Sequence, residues 1–174
     1  MKDLVERGLV LRGKNGRRVA DREALVALWV QAYVEALRPR LKERRFQIRA
    51  ENKQEIWARL QTALANRPWA LTGADAAELS THFFRAEETE IYAPVLEFEN
   101  REMQKAIVAQ PAARAGNLLV IDPPGPLAIP DGPDRGPPVT PEVLAYAELR
   151  YRGTEQALEA AELLLPKVLE DGAH

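Results

Sequence analysis

Apolar residues recur every three or four positions in several stretches of the chain, a spacing that predicts amphipathic helices. The clearest case carries Leu25, Leu28, Trp29 and further apolar residues up to Leu37. Asp21 stands before it as an N-cap, and Arg38-Pro39 ends it. Further helices are predicted at 4–8, 52–67, 74–80, 100–109, 140–151 and 154–169. Asn52 caps the second of these, Thr140 caps the helix at 140–151, and Pro166 kinks or ends the last one.

Short runs of alternating or continuous apolar residues predict strands between these helices. Residues 9–12 and 17–20 flank a Gly-Lys-Asn-Gly turn and therefore form a hairpin. Further strands are predicted at 46–49, 69–73, 89–93 and 117–122. Pro94 places the strand at 89–93 at a sheet edge or at the point where the chain leaves the sheet. Residues 123–138 hold seven of the 13 prolines and form a loop, with a brief strand at 127–129.

Strands alternate with helices over the middle of the chain, so the sequence predicts an α+β fold. Helices pack on a mixed sheet, and two helices end the chain. A length of 174 residues suits one domain with a hydrophobic core. The absence of cysteine excludes disulfides, zinc fingers and thiol nucleophiles. Because no apolar run could span a membrane and no secretory signal opens the sequence, we expect a cytoplasmic protein.

Charge is unevenly distributed along the chain. Residues 1–49 hold 13 basic and six acidic residues, a net charge of +7, whereas the remainder carries −9. A basic first third indicates an anionic partner for that end of the molecule. The alternative is that its helices and hairpin are charged only because they are exposed, and the sequence leaves both interpretations open.

We predict no catalytic residue, metal site or cofactor. His82 stands beside Phe83-Phe84 without a nucleophile motif, which is typical of a structural histidine. A nuclease would need an Asp and a Glu on adjacent strands with a lysine close behind, but Lys105 is the only lysine near the acid-rich stretch. That stretch is interpreted as a solvated face; it contains Glu87, Glu88, Glu90, Glu97, Glu99 and Glu102.

Other sequence features exclude two further kinds of site. The glycines at 125, 132 and 136 lie among prolines rather than between a strand and a helix, so they do not form a phosphate-binding loop. Trp29, Trp57 and Trp69 are spaced as core residues and not as a base-stacking platform.

The C-terminal stretch carries a resemblance to a known family. It reads PVTPEVLAYAEL over 138–149 and GTEQALEAA over 153–161, and it resembles the last helices of AbiEi-type antitoxins, the transcriptional regulators of type IV toxin–antitoxin (abortive infection) systems. The stretches ALTGADAA at 70–77 and GNLLV at 116–120 fit the same family. Glu148 stands where the family often has Asp, and the long proline loop is a second departure. Such regulators begin with a winged-helix domain, of which residues 1–20 resemble the last helix and the wing.

The resemblance implies a DNA-binding autorepressor that counters a nucleotidyltransferase-like toxin. Residues 1–20 would be the partial winged helix and residues 21–174 the antitoxin body. The implied DNA contacts in the wing are Lys14, Asn15, Arg17 and Arg18. A second basic strip is formed by Arg38, Arg40, Lys42, Arg44 and Arg45. DNA binding by this chain is expected to be weak, because the helices that would brace a recognition helix are not recognised. The alternative is an enzyme acting on nucleic acid or nucleotides, a nuclease or nucleotidyltransferase whose motif is not readable.

Overall fold

The computed structural model describes residues 2–13, 16–82, 88–130 and 136–170. The helices of this part are α1 (Lys2–Glu6), α2 (Arg22–Ala32), α3 (Lys53–Ala63), α4 (Gly73–Thr81), α5 (Val95–Phe98), α6 (Arg101–Ala106), α7 (Glu142–Arg152) and α8 (Glu155–Glu170). The strands are β1 (Val10–Gly13), β2 (Gly16–Val19), β3 (Glu43–Ile48), β4 (Ala70–Leu71), β5 (Thr89–Tyr92), β6 (Ala109–Ala112) and β7 (Leu118–Ile121). A π-helical segment (Tyr33–Leu37) and a 3-10 turn (Arg38–Arg40) continue α2. The predicted α+β class is confirmed.

Two separate sheets organise these strands. β1 and β2 pair antiparallel as the predicted hairpin, with Val10 opposite Val19. The main sheet has the order β4-β5-β7-β3-β6. Its central pair, β5 and β7, is parallel, and the other pairs are antiparallel, so the sheet is mixed as predicted.

Helices cover both faces of the main sheet, and the residues of β5 and β7 are therefore buried on both sides. One face carries Tyr92, Leu119 and Ile121, which pack against α2, α4, α7 and α8. The other face carries Ile91, Leu118 and Val120 together with β3, and it packs against α3, α5 and α6. Burial of these two apolar layers is the main force that holds the fold together.

Local capping sets where several helices begin. The Asp21 carboxylate accepts a hydrogen bond from the Ala24 amide at 2.9 Å, and the Asn52 side chain accepts one from the Glu55 amide at 2.9 Å, as predicted. Thr140 is not a cap: its hydroxyl donates to the Ala128 carbonyl at 2.8 Å, and α7 begins after Pro141. The proline loop thereby gains an anchor to the start of α7.

Proline positions account for three differences from the predicted elements. Strand β6 contains Pro111, which is tolerated here because β6 is an edge strand. The preceding helix α6 ends at Ala106, before β6 begins, so the prediction that Pro111 ends this helix was wrong. The expected strand at 127–129 is instead a 3-10 turn, Pro126–Ala128. Helix α8 continues past Pro166, since this residue is exposed and water can bind the carbonyl group that loses its amide partner.

Trp29 is exposed, whereas Trp57 is partly buried against the core and Trp69 lies within it. Trp29 is 39% exposed and stacks on the Tyr33 ring with centroids 5.4 Å apart, whereas Val30 and Tyr33 point into the core. The prediction of a core anchor was therefore wrong for Trp29 and right for Trp69, which is 4% exposed. No helix in the described ranges is long and apolar enough to cross a membrane.

Candidate functional site

The hairpin β1–β2 displays arginines on both of its faces. Arg12 lies directly opposite Arg17, and Leu11 lies opposite Arg18. Because side chains alternate along a strand, Arg17 and Arg18 point to opposite faces. All four side chains are exposed, so the hairpin can offer positive charge in two directions.

These arginines differ from arginines such as Arg45 and Arg67, which pair with carboxylates. Within the described ranges, no carboxylate lies at ion-pair distance from Arg12, Arg17 or Arg18. Two like charges directly opposite each other on a hairpin are unfavourable unless an anion joins them.

Arg12 was not among the predicted DNA contacts. We add it to them because it lies directly across the hairpin from Arg17. Lys14 and Asn15, which were predicted contacts, lie outside the described residues.

The second predicted basic strip is divided by the fold. Arg40 and Lys42 are exposed, and Arg44 is exposed with Glu99 at 3.4 Å. Arg45 turns inward on β3 and pairs with Glu88 at 3.1 Å. Arg40, Lys42 and Arg44 therefore remain on the surface as predicted, whereas Arg45 belongs to an ion-pair network.

Arg38 must be removed from the predicted DNA contacts. It is 3% exposed, and its guanidinium group binds Glu148 at 2.7 Å and Glu43 at 2.8 Å. Its plane also lies over the Tyr151 ring, 4.5 Å from the centroid. The 3-10 turn after the π-helical segment directs this side chain into the protein, where a phosphate cannot reach it.

A buried polar network is centred on Glu148 in α7. One carboxylate oxygen accepts hydrogen bonds from the hydroxyl groups of Tyr33 and Tyr92, the latter at 2.8 Å, and the other oxygen accepts from Arg38. The two hydroxyl groups are also 2.8 Å apart. The network therefore joins α7, the π-helical segment and β5 through a single carboxylate that is 4% exposed.

Glu90 in β5 forms a second buried centre beside the first. One of its oxygens contacts Arg152, and the other accepts from the Ala74 amide at 3.3 Å, at the start of α4. Gly73 has φ +52°, and a Cβ atom there would lie 1.7 Å from the Glu90 carboxylate. Only glycine therefore fits at this approach between α4 and β5.

Asp75 connects this centre to α3. Its carboxylate accepts a hydrogen bond from the Glu90 amide at 2.7 Å and lies 3.4 Å from the Lys53 ammonium group. Lys53 also contacts Glu78. Sequence reasoning missed Lys53 here, because Lys53 and Asp75 lie on different helices and no local pattern links them.

Burial shifts the proton affinity of these acids. The pKa of Glu90 is raised to about 8, because the effect of burial exceeds the opposing effect of the Arg152 guanidinium. Burial likewise raises the pKa of Asp75 to about 6, against the opposing effect of the Glu90 amide and Lys53. The pKa values of Tyr33 and Tyr92 are raised above the usual range by burial and by the Glu148 charge. Both tyrosines therefore remain hydrogen-bond donors at neutral pH.

The network does not have the geometry of a metal-dependent active site. No group of three or more histidine or carboxylate side chains in the described ranges could hold a metal ion. Both oxygens of Glu90 are bound by groups of the chain itself, and both oxygens of Glu148 are as well. Glu97, from the acid-rich stretch, pairs with Arg67 at 2.9 Å near the surface. His82 is exposed and ends α4 in the left-handed conformation, a structural position.

One signal in the sequence could have pointed to Glu148. It stands four residues after Leu144 and between Ala147 and Leu149, on the apolar face of the predicted helix at 140–151. A charged residue in that position must find a partner when the face is buried. Nothing local identifies Arg38 as that partner.

Comparison with known proteins places the chain in a family. The family model described as "Transcriptional regulator, AbiEi antitoxin, Type IV TA system" matches residues 18–170. No curated protein matched the chain, and no solved structure matched it. The family match begins in β2 and ends with α8, so it covers the whole main sheet and its helices. The chain therefore belongs to the family of AbiEi antitoxins, the transcriptional regulators of type IV toxin–antitoxin systems.

Proposed function

We propose that this protein is a DNA-binding repressor that also counters a cognate toxin, with the two tasks on different parts of the chain. The family match over residues 18–170 carries the proposal, because it spans the whole body of the molecule. Residues 21–174 would be the part that acts on the toxin. The hairpin would be the wing that contacts DNA.

The hairpin is suited to bind phosphate groups. Arg12, Arg17 and Arg18 are exposed without acidic partners among the described residues, and a DNA backbone would supply the missing negative charge. In α1, by contrast, Arg7 already pairs with Asp3 at 3.0 Å. Charge on the hairpin can hold a duplex but does not distinguish its bases. We therefore expect salt-sensitive binding without sequence preference, with a dissociation constant of about 10⁻⁴ to 10⁻⁶ M.

The DNA part of the proposal is tested by a fluorescence-anisotropy titration with the native upstream duplex and a scrambled duplex over a salt series. Log affinity should fall with log salt with a slope of about −0.9 for each phosphate neutralised. The Arg17→Glu/Arg18→Glu variant should weaken binding to both duplexes alike. An Arg67→Glu/Arg150→Glu variant changes the charge equally at two exposed positions outside the hairpin and is the matched control. Binding that ignores salt and the hairpin charges would refute the wing assignment, and tight binding to the native duplex alone would show that the body reads sequence.

The antitoxin part is tested by co-expression with the proposed cognate toxin. We expect the chain to restore growth, and the Arg17→Glu/Arg18→Glu variant to restore it equally, because the body carries that task. Rescue by both proteins together with loss of DNA binding in the variant would separate the two tasks. Failure of both proteins to rescue growth would reject the assignment of the body.

One observation favours the alternative of an enzyme that acts on nucleic acid. The fold places Asp75, Glu90 and Lys53 in one region, the residue types that a nuclease uses. Both oxygens of Glu90 are bound by the chain's own groups, and Asp75 pairs with Lys53, so we favour the regulator. A metal-dependent cleavage or nucleotidyl-transfer assay distinguishes the regulator from the enzyme. If the protein is active and Glu90→Gln abolishes the activity while the fold is retained, the enzyme is the correct interpretation.

A further inference from the structure

A groove of about 650 Å³ lies beside the edge strand β6, where the chain passes from α6 into that strand. Three cationic side chains line it, together with three glutamines. They are Arg49, Arg101, Lys105, Gln47, Gln104 and Gln110. The groove belongs to neither the hairpin nor the buried network.

The charged side chains that line this groove are all basic. No acidic residue is among its lining residues, although residues 50–174 carry a net charge of −9. Arg49, Arg101 and Lys105 are exposed, and none of them forms an ion pair within the described part of the chain. Three like charges around one concave surface attract an anion.

The glutamines add hydrogen-bonding groups in defined positions. Gln47 and Gln110 are cross-strand partners on β3 and β6, so their side chains lie side by side on one face of the sheet. The Gln104 amide donates to the Phe98 carbonyl at 2.8 Å, which holds it on α6. Amide groups both donate and accept, so they suit the polar edges of a base as well as phosphate oxygens.

The backbone around the groove is held in a fixed and strained shape. The Arg59 guanidinium donates to the Arg49 carbonyl at 2.7 Å and to the Ile107 carbonyl at 3.5 Å, and the Arg49 amide donates to the Val108 carbonyl at 3.2 Å. Val108 has φ +53°, a conformation that β-branched residues rarely adopt, and its side chain is 48% exposed. Such strain is concentrated at ligand sites.

We propose that this groove binds the phosphate groups of a nucleotide or of a single-stranded nucleic acid. Guanidinium and ammonium groups are the usual protein ligands of phosphate. The groove volume falls within the range of about 300–1,000 Å³ that is typical of small-molecule sites. A free nucleotide and a polynucleotide offer the same phosphate groups. The experiment therefore includes one probe of each kind, to determine which of the two ligands binds.

The test uses the full chain carrying Arg17→Glu/Arg18→Glu, so that hairpin binding does not contribute. Pyrophosphate, ATP and a short oligothymidylate are titrated separately, and backbone amide shifts are followed by NMR. At least one probe should shift the amide signals of residues 101–110 saturably. Response to ATP without the oligonucleotide would identify a free nucleotide as the ligand, and response to the oligonucleotide alone would identify a polynucleotide. Response to all three would show that phosphate groups suffice.

Variants then test whether the three cations carry the binding. Arg101→Gln/Lys105→Gln should reduce the affinity at least about tenfold, since each lost charge-assisted contact weakens binding strongly. Arg49→Gln, measured separately, should also reduce it. The control Arg67→Gln/Arg150→Gln removes two exposed cations elsewhere and should leave the affinity unchanged. Absence of a response to every probe, or equal binding by the groove and control variants, would overturn the proposal.

Discussion

The hairpin and the buried network use the same type of residue in opposite ways. In the hairpin, Arg12, Arg17 and Arg18 are exposed and lack carboxylate partners among the described residues. In the network, Arg38 is 3% exposed and binds two carboxylates, Glu148 and Glu43. An exposed arginine exchanges water for a ligand at little cost, whereas a buried one cannot leave its partner without a large loss of free energy.

This difference separates residues that can bind a ligand from residues that fix the fold. The network joins α7, the π-helical segment and β5 around Glu148, and it joins α4 to β5 around Glu90. The charged groups of the network pair with one another inside the molecule. The charges of the hairpin remain available to a partner.

The largest effect is expected from Glu148→Ala. It leaves Arg38 buried without its main partner and removes the acceptor of Tyr33 and Tyr92. The free energy of unfolding, measured by urea denaturation, should fall by about 3–5 kcal/mol. Glu162→Ala, which removes an exposed acid that pairs with Arg150, should change it by less than about 0.5 kcal/mol. Equal small changes in both variants would show that the network does not hold the fold.

The next effect is a pH dependence of stability that originates at Glu90. Its pKa is raised from an ordinary value of 4.5 to about 8, so between these values the folded state binds more protons than the unfolded state. The stabilising contribution is complete below pH about 4.5 and is lost as the pH rises through about 8. From pH 5 to pH 8 the free energy of unfolding should therefore fall, by roughly 2–4 kcal/mol from this group.

Glu90→Gln should reduce that fall, because the amide keeps the shape of the acid and does not ionise. Glu97→Gln, at a surface ion pair, is the matched control. Urea denaturation of the three proteins at pH 5 and pH 8 measures the difference. A fall of the same size in Glu90→Gln and in the unchanged protein would place the pH dependence elsewhere.

A smaller effect is expected from Tyr92→Phe. The substitution removes one of the hydrogen bonds to the buried Glu148 carboxylate while the ring stays in the core. The free energy of unfolding should fall by about 1–3 kcal/mol. Tyr151→Phe retains the ring beneath Arg38 and removes a hydroxyl group at a half-exposed position, so it should be nearly neutral. The prediction fails if the two variants are equally stable.

The smallest effect on stability is expected in the hairpin. Arg17→Ala should change the free energy of unfolding by less than about 0.5 kcal/mol, and it relieves the repulsion from Arg12 across the hairpin. The same substitution should weaken DNA binding in the anisotropy titration. A stability loss above about 1 kcal/mol would mean that Arg17 has a structural partner and that the contrast with Arg38 is false.

Local signals in the sequence predicted most of the elements correctly. Asp21 and Asn52 begin the helices where they were placed as caps, because capping involves only amide groups three residues away. The strand at 117–122 was predicted from its continuous apolar run. Strand β6 was missed, since its sequence of two alanines, a glutamine and a proline gives no strand pattern and only its pairing with β3 makes it a strand.

The sequence by itself determined the fold class, the family resemblance and the basic character of the first third. Those properties follow from periodicity, motifs and composition, which are local or additive along the chain. Only the tertiary structure decided which cations face solvent. Arg38 and Glu148 are 110 residues apart, and Lys53 meets Asp75 only because α3 and α4 are brought together around the sheet. Burial and pairing arise from packing between distant segments, so a local pattern cannot distinguish an arginine that binds a ligand from one that neutralises a buried acid.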